Sequence, residues 1–218
     1  MTNMKPMNGV ENPRETRLSR ELRQEEPSRP TSPRDAFDLA RGKWLKGERI
    51  EVGALAEELG VARATVFRWV GTRDLLVGEI IWYLFEMLWE QAADNAQGTG
   101  ADYGADFIRR LMESVLDAEP FRRFIEQSPE YALRILTSKE GPMQARVIQA
   151  TTGMLEEQAA AGHITPALDM DDLAYVIVRI VESCLYSDQI TGRQPNVPAA
   201  CKSIHILLAA TPDQRPSV

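Results

Sequence analysis

No stretch restricts the fold of this chain as tightly as Ile50 to Leu76, which reads IEVGALAEELGVARATVFRWVGTRDLL. Leu55, Ala56 and Leu59 recur at helical spacing over Val52 to Leu59. Gly60 supplies the positive φ of a tight turn, a conformation that costs glycine nothing. Val61 and Val66 close a small core under a second short helix, about Arg63 to Val70. Gly71-Thr72 breaks that helix, and Thr72 caps a third with Asp74 in its first turn, where the dipole favours an acid. One helix, 63–70, is left facing outward with Arg63, Thr65, Phe67, Arg68 and Trp69 on it.

The remainder reads as helix. Ser32-Pro33-Arg34-Asp35 opens one that carries Ala36, Leu39, Ala40 and Trp44 and ends near Gly47. The helix capped by Thr72 runs to about Asn95, and Gly98-Thr99-Gly100 is a loop. Helical segments follow at about 102–117, 120–126, 129–138, 142–162, 170–190 and 197–210, separated by Pro and Gly breaks. No alternating strand pattern and no repeat occurs, so the expected class is all-α: a three-helix unit over 32–78 and a helical region over 79–211. Residues 1–31 and 212–218 are expected to be disordered tails. Arg14, Arg17, Arg20 and Arg23 lie three apart in the first, either as an arm that touches DNA or as solvated charge among acids.

Several function classes find no support. His163 and His205 are isolated, without metal-ligand spacing. Gly98, Gly100 and Gly104 follow no strand, and no serine sits in G-x-S-x-G. The expectation is no enzyme, no metal and no cofactor. Cys184 and Cys201 are too far apart for a motif and read as buried small apolar groups. No apolar run approaches the roughly 18 residues a membrane span needs, and no signal peptide is evident, so the expected location is cytoplasmic, with no membrane partner. Net charge is −7, yet residues 1–75 hold 14 Lys/Arg and 12 Asp/Glu, and the rest holds 11 and 20. The acidic part is repelled by phosphate; the N-terminal part is the one that can face it.

An exposed helix with cations and a small hydroxyl is what the major groove of double-stranded DNA admits. Arg63 can reach a guanine edge or a phosphate, Thr65 a thymine methyl or a phosphate, and Arg68 and Trp69 lie about one turn on. Arg73 adds a cation beside the first amides of the next helix, which suits a phosphate. The segment ALAEELGVARATVFRWVGTRDLL resembles the N-terminal domain of the TetR family of transcriptional regulators. That resemblance covers about residues 34–80, through Leu55-Ala56, Leu59-Gly60-Val61, Thr65, Phe67, Trp69 and Arg73. It implies DNA contacts by Arg63, Ala64, Thr65, Phe67, Arg68, Trp69 and Arg73. Phe67 departs from the family's frequent tyrosine, and Glu51-Val52 from its frequent Ser or Thr. WLKGERI, EYALRILTS and LAYVIVRIVESCLYSDQITG resemble a QsdR-like branch of the family, named for control of quorum-signal degradation.

The resemblance implies a dimer on palindromic operator DNA, released when a small molecule binds the C-terminal half, most often as a repressor. A lactone-like or acyl-chain-like effector follows from the branch. Tyr175, Arg179, Glu182 and Tyr186 form a polar line on one apolar helix, either as anchors in an effector cavity or as a structural pair. Trp82, Phe85, Trp89, Phe107, Leu111, Phe121, Phe124, Tyr131 and Met143 are wall candidates or plain core. Arg122-Arg123 and Arg134 either attract an anionic ligand or are solvated. The last two helices, rich in Val176, Ile177, Ile180, Val181, Leu185, Ile204, Ile206, Leu207 and Leu208, are expected to form the dimer contact. A second reading keeps the DNA-binding unit but gives the C-terminal half only dimerisation or protein contact.

Overall fold

A computed structural model describes residues 30–139 and 141–210. The arginine-bearing tail, apart from its last two residues, and the C-terminal tail lie outside the described residues. Eleven helices and no strand occur among the described residues. They are α1 (Pro33–Leu45), α2 (Val52–Glu58), α3 (Arg63–Val70), α4 (Arg73–Asn95), α5 (Gly100–Asp117), α6 (Glu119–Gln127), α7 (Pro129–Thr137), α8 (Pro142–Ala160), α9 (Met170–Leu185), α10 (Ser187–Thr191) and α11 (Val197–Ala209).

Local chemistry sets most boundaries. Pro33, Pro120, Pro129, Pro142 and Pro198 stand in first helical turns, where a missing N–H leaves nothing unpaired. Thr72 caps α4 by accepting from the Leu75 N–H at 3.2 Å, and Asn196 caps α11 by accepting from Ala199 at 3.0 Å. Gly60 turns the chain between α2 and α3 with φ 65°, as expected from the sequence.

Gly100, expected in a loop, is the first residue of α5, and one later boundary differs further from the sequence reading. The helix expected over 170–190 stops at Leu185, and Tyr186 leaves helical geometry at φ −98°, ψ 19°. The cause is distant in sequence. The returning chain donates the Asn196 N–H to the Cys184 carbonyl at 3.1 Å, and Ser187 Oγ donates to the same oxygen at 3.1 Å. That carbonyl is therefore engaged by the return loop, and α10 starts afresh.

Two apolar clusters hold the described fold. A small one joins Ala36, Val52, Ala56 and Val66 from α1–α3. The main one runs through Trp44, Ile50, Leu55, Leu76, Ile80 and Ile81 into Phe107, Leu111, Leu155, Ile177 and Ile204. Leu55 and Trp44 thus tie the first three helices to the same core as the rest. α4, about 34 Å long at 1.5 Å per residue, packs against α1 and α3 at one end and α5, α7 and α8 along its length. α11 lies close along α5, and a Cβ on Gly104 would run into Leu208. No helix of the described residues is long and apolar enough to cross a membrane. Cys184 and Cys201, expected to be buried, are half-buried free thiols at the edge of the main cluster.

Candidate nucleic-acid interface and effector cavity

The face that α3 presents follows from which of its residues the small cluster takes. Val66 is fully buried, and Trp69 and Val70 pack against the same cluster, so this stripe faces inward. Arg63, Ala64, Phe67 and Arg68 are on the opposite face and exposed, Phe67 at 47%, with Thr65 half-buried between. Trp69 therefore departs from the expectation of a solvent-facing indole. It stands three residues after Val66, on the buried side of the helix, and is half-buried against the cluster.

The turn before α2 has no hydroxyl cap. Glu51 is the N-cap residue without a side-chain cap hydrogen bond, and its carboxylate pairs with Arg49 at 2.6 Å. Arg73 is also more committed than the sequence implied. Its Nε donates to the Ile50 carbonyl at 2.9 Å, and its guanidinium lies 4.7 Å from the centre of the Tyr131 ring. Tyr131 in turn donates its hydroxyl to Asp74 at 3.0 Å, and Arg134 pairs with the other Asp74 oxygen at 2.6 Å. The first turn of α4 is thereby clamped to α7. Burial works against the Asp74 charge, but donation from Arg134 and Tyr131 outweighs it and lowers the carboxyl below its ordinary value. Burial, with the Asp74 contact adding to it, pushes the Tyr131 phenol up to about 12.

Inside the helical half a partly open cavity of about 60 Å³ lies among α4, α5, α6, α7, α8 and α9. Of the wall and polar-line candidates, Phe85, Trp89, Leu111, Phe121, Met143, Glu182 and Tyr186 line it, and so do Ile177, Val181 and Leu185, expected from the sequence in the dimer contact. The others are elsewhere. Phe107 is fully buried behind the wall, edge-on to Trp89 at 4.7 Å. Trp82 leans on Phe85 and carries the Arg146 guanidinium at 5.6 Å. Phe124 and Tyr131 line a different crevice, of about 540 Å³, between α1 and α6–α7. Tyr175 is 51% exposed under the Arg179 guanidinium, whereas Tyr186 is buried. The line from Tyr175 to Tyr186 is split because Tyr186 sits past the helix end, where the chain turns inward.

Sequence reasoning missed Ile108, Met112 and Val115 of α5, though their spacing with Leu111 marks an inward stripe. It also missed Gln144, which no sequence pattern signalled. Gln144 organises the polar corner of this cavity. Its amide donates to Glu182 at 2.6 Å and to the Leu136 carbonyl at 2.7 Å, while its oxygen accepts from Arg179. Arg179 closes the triangle by pairing with Glu182 at 2.9 Å. Burial raises the Glu182 carboxyl, and donation from Gln144 and the Arg179 charge only partly offset it. Burial pushes the Tyr186 phenol well above its usual range, with the Glu182 charge adding to the effect. Among the described residues, no group of His, Cys, Asp or Glu is placed to hold a metal ion.

An outward cationic helix set by a glycine turn, joined through one long helix to a helical half with an internal cavity, defines a helix-turn-helix regulator. Comparison with known proteins narrows this. Residues 99–209 match the family described as Tetracyclin repressor-like, C-terminal domain. The structure of the transcriptional repressor QsdR from the TetR family of R. erythropolis matches at 30% identity and TM-score 0.76, covering 84% of this chain and 97% of that one. A TetR-family regulator from Rhodococcus sp. matches at 16% identity and TM-score 0.47, covering 81% of this chain and 98% of that one. The TetR-family regulator PfmR from Thermus thermophilus matches at 16% identity and TM-score 0.39, covering 84% and 98%. No curated protein matches. The chain belongs to the TetR family of transcriptional regulators, whose members bind DNA and form homodimers.

Proposed function

We propose that this regulator binds a palindromic operator as a homodimer through α3 of each protomer, and that a small, largely apolar effector entering the α4–α9 cavity releases it. Residues 32–78 then act as the reading unit and 79–211 as the effector and dimer unit. The role assigned is repression, the role named for the similar QsdR of R. erythropolis. Arg63, Ala64, Thr65, Phe67 and Arg68 meet the groove, with Trp69 at its edge and Arg73 bracing the helix that follows.

The observation that carries the effector reading is the narrow cavity, apolar on nearly every wall, with a polar corner at Gln144 and Glu182. Such a site takes an apolar body and orients it by a single polar head, as an acyl chain or lactone offers. At about 60 Å³ it is far smaller than the roughly 300–1,000 Å³ of ligand sites. An occupant must therefore part the helices that enclose it. α4 is one of them and also packs on α3, so the displacement reaches the reading helix. Half-sites lie about 34–36 Å apart, so a change of a few ångströms in helix separation weakens operator binding. The dimer contact is assigned to α9 and α11. Ile206 is 60% exposed, and Val176, Ile180 and Leu207 are half-buried there, while Ile177, Ile204 and Leu208 are spent inside the protomer.

The test is operator binding by fluorescence anisotropy across a series of γ-lactones of increasing acyl length. The wild type should release DNA with longer chains. Val147 of α8 lines the cavity, and Val147→Trp, which fills it, should hold DNA and ignore the lactones; Glu182→Gln should shift the dose–response. If Val147→Trp responds as the wild type does, the effector reading is wrong. If no apolar compound moves either protein, the C-terminal half serves dimerisation alone.

A further inference from the structure

The crevice of about 540 Å³ lies where the end of α1, the turn before α2 and the start of α4 meet α6 and the start of α7. It shares no wall residue with the effector cavity. Its volume is within the range of small-molecule sites. One side is a run of aromatic rings: Trp44 and Phe124 are 5.8 Å apart, and Phe124 and Tyr131 are again 5.8 Å apart, edge to face.

Against this wall stand two arginines with unspent donors. Arg73 stacks its face over Tyr131 and gives Nε to the Ile50 carbonyl. Its terminal nitrogens make no hydrogen bond among the described residues. Arg123 pairs with Glu119 and donates Nη2 to the Leu45 carbonyl at 3.3 Å. Its Nε is buried without a hydrogen-bond partner. The close seat of Arg123 depends on Gly47, where a Cβ would come 2.6 Å from Nη1. A buried N–H on a charged group without an acceptor is costly. The acids nearby are already engaged: Glu48 lies 3.7 Å from Lys43, and Glu51 pairs with Arg49.

We propose that this crevice is a second ligand site, independent of the apolar cavity, and that it takes a small aromatic carboxylate. The carboxylate accepts from the open edge of Arg73 and from Arg123 Nη1, while the covered Nε contributes only its share of the guanidinium charge. The ring lies along Trp44, Phe124 and Tyr131.

The experiment is isothermal titration of the full chain with 1-naphthoate and, as the uncharged counterpart, 1-naphthalenemethanol. One naphthoate should bind per protomer, and the alcohol should bind at least about tenfold more weakly. Arg123→Gln should lower naphthoate affinity by at least about tenfold, and so should Gln127→Trp, which plugs the crevice from an exposed position. Val147→Trp, in the other cavity, should leave it unchanged. Thermal melts check each variant, and Gln127→Trp carries the test if Arg123→Gln does not fold. Absence of binding at millimolar naphthoate, equal affinity for the alcohol, or loss with Val147→Trp alone overturns the proposal.

Discussion

Replacing Arg63 and Arg68 together by alanine tests the groove assignment by its salt dependence. Both side chains are exposed on the outward face of α3, and neither makes an ion pair among the described residues. Their removal should therefore change folding stability by no more than about 0.5 kcal/mol. Each guanidinium that neutralises a phosphate releases counterions, and log K falls with log salt with a slope of about −0.9 per contact. Two per protomer make about four in a dimer, so the double variant should lose a slope of about 3.6. Over a fourfold rise in salt, from about 50 to 200 mM, that is a difference of about 150-fold in how far affinity falls. If one arginine instead reads a guanine edge, the slope loss halves and discrimination against a mutated half-site drops by about 1–3 kcal/mol at that position. The assay is anisotropy of a labelled promoter fragment at several salt concentrations, with thermal melts as control. Parallel plots for wild type and variant, with equal affinity, would refute the assignment of α3 to the groove.

Three further outcomes follow from the geometry. Val66→Ala removes two methyl groups from a fully buried site and should cost about 2 kcal/mol, seen first as faster amide exchange in α2 and α3 and not in α5 or α9. Tyr131→Phe deletes the donation to Asp74 and should cost about 1–2 kcal/mol in urea unfolding; a loss confined to high pH would contradict the hydrogen-bond account. The raised Glu182 carboxyl binds a proton more tightly folded than unfolded, where its value is 4.5. Its stabilising contribution is thus full below that value and fades as pH rises through the folded value. Glu182→Gln should remove this fall, so the melting difference between variant and wild type should grow from pH 4 upward and then level off; a flat difference would exclude it.

The reading helix was largely legible before any coordinates, because its signals are local. Gly60 makes the turn, Thr72 caps α4, and Leu55, Ala56 and Val66 recur at the spacing that buries one face. Trp69 was not legible in the same way. Its spacing of three from Val66 already puts it beside the buried stripe, but a large ring next to Arg68 reads equally as a groove contact, and packing against the cluster of Ala36, Val52 and Ala56 decides between them. The effector half shows the same limit more strongly. α4 is apolar around much of its circumference, so Trp82, Phe85 and Trp89 are equivalent in the sequence, yet only Phe85 and Trp89 line the cavity. Gln144 carried no signal because its partners, Leu136, Arg179 and Glu182, come from other helices.

The amino-acid sequence alone therefore determined the helical class, the caps and breaks, and the family, since each rests on neighbours a few residues apart. The tertiary structure decided the break at Tyr186, the clamp of Arg73 and Asp74 on α7, and the separation of Phe124 and Tyr131 from the inner cavity. Those depend on where helices distant in the chain cross. A crossing is set by how side-chain volumes interlock, which no short window of residues specifies.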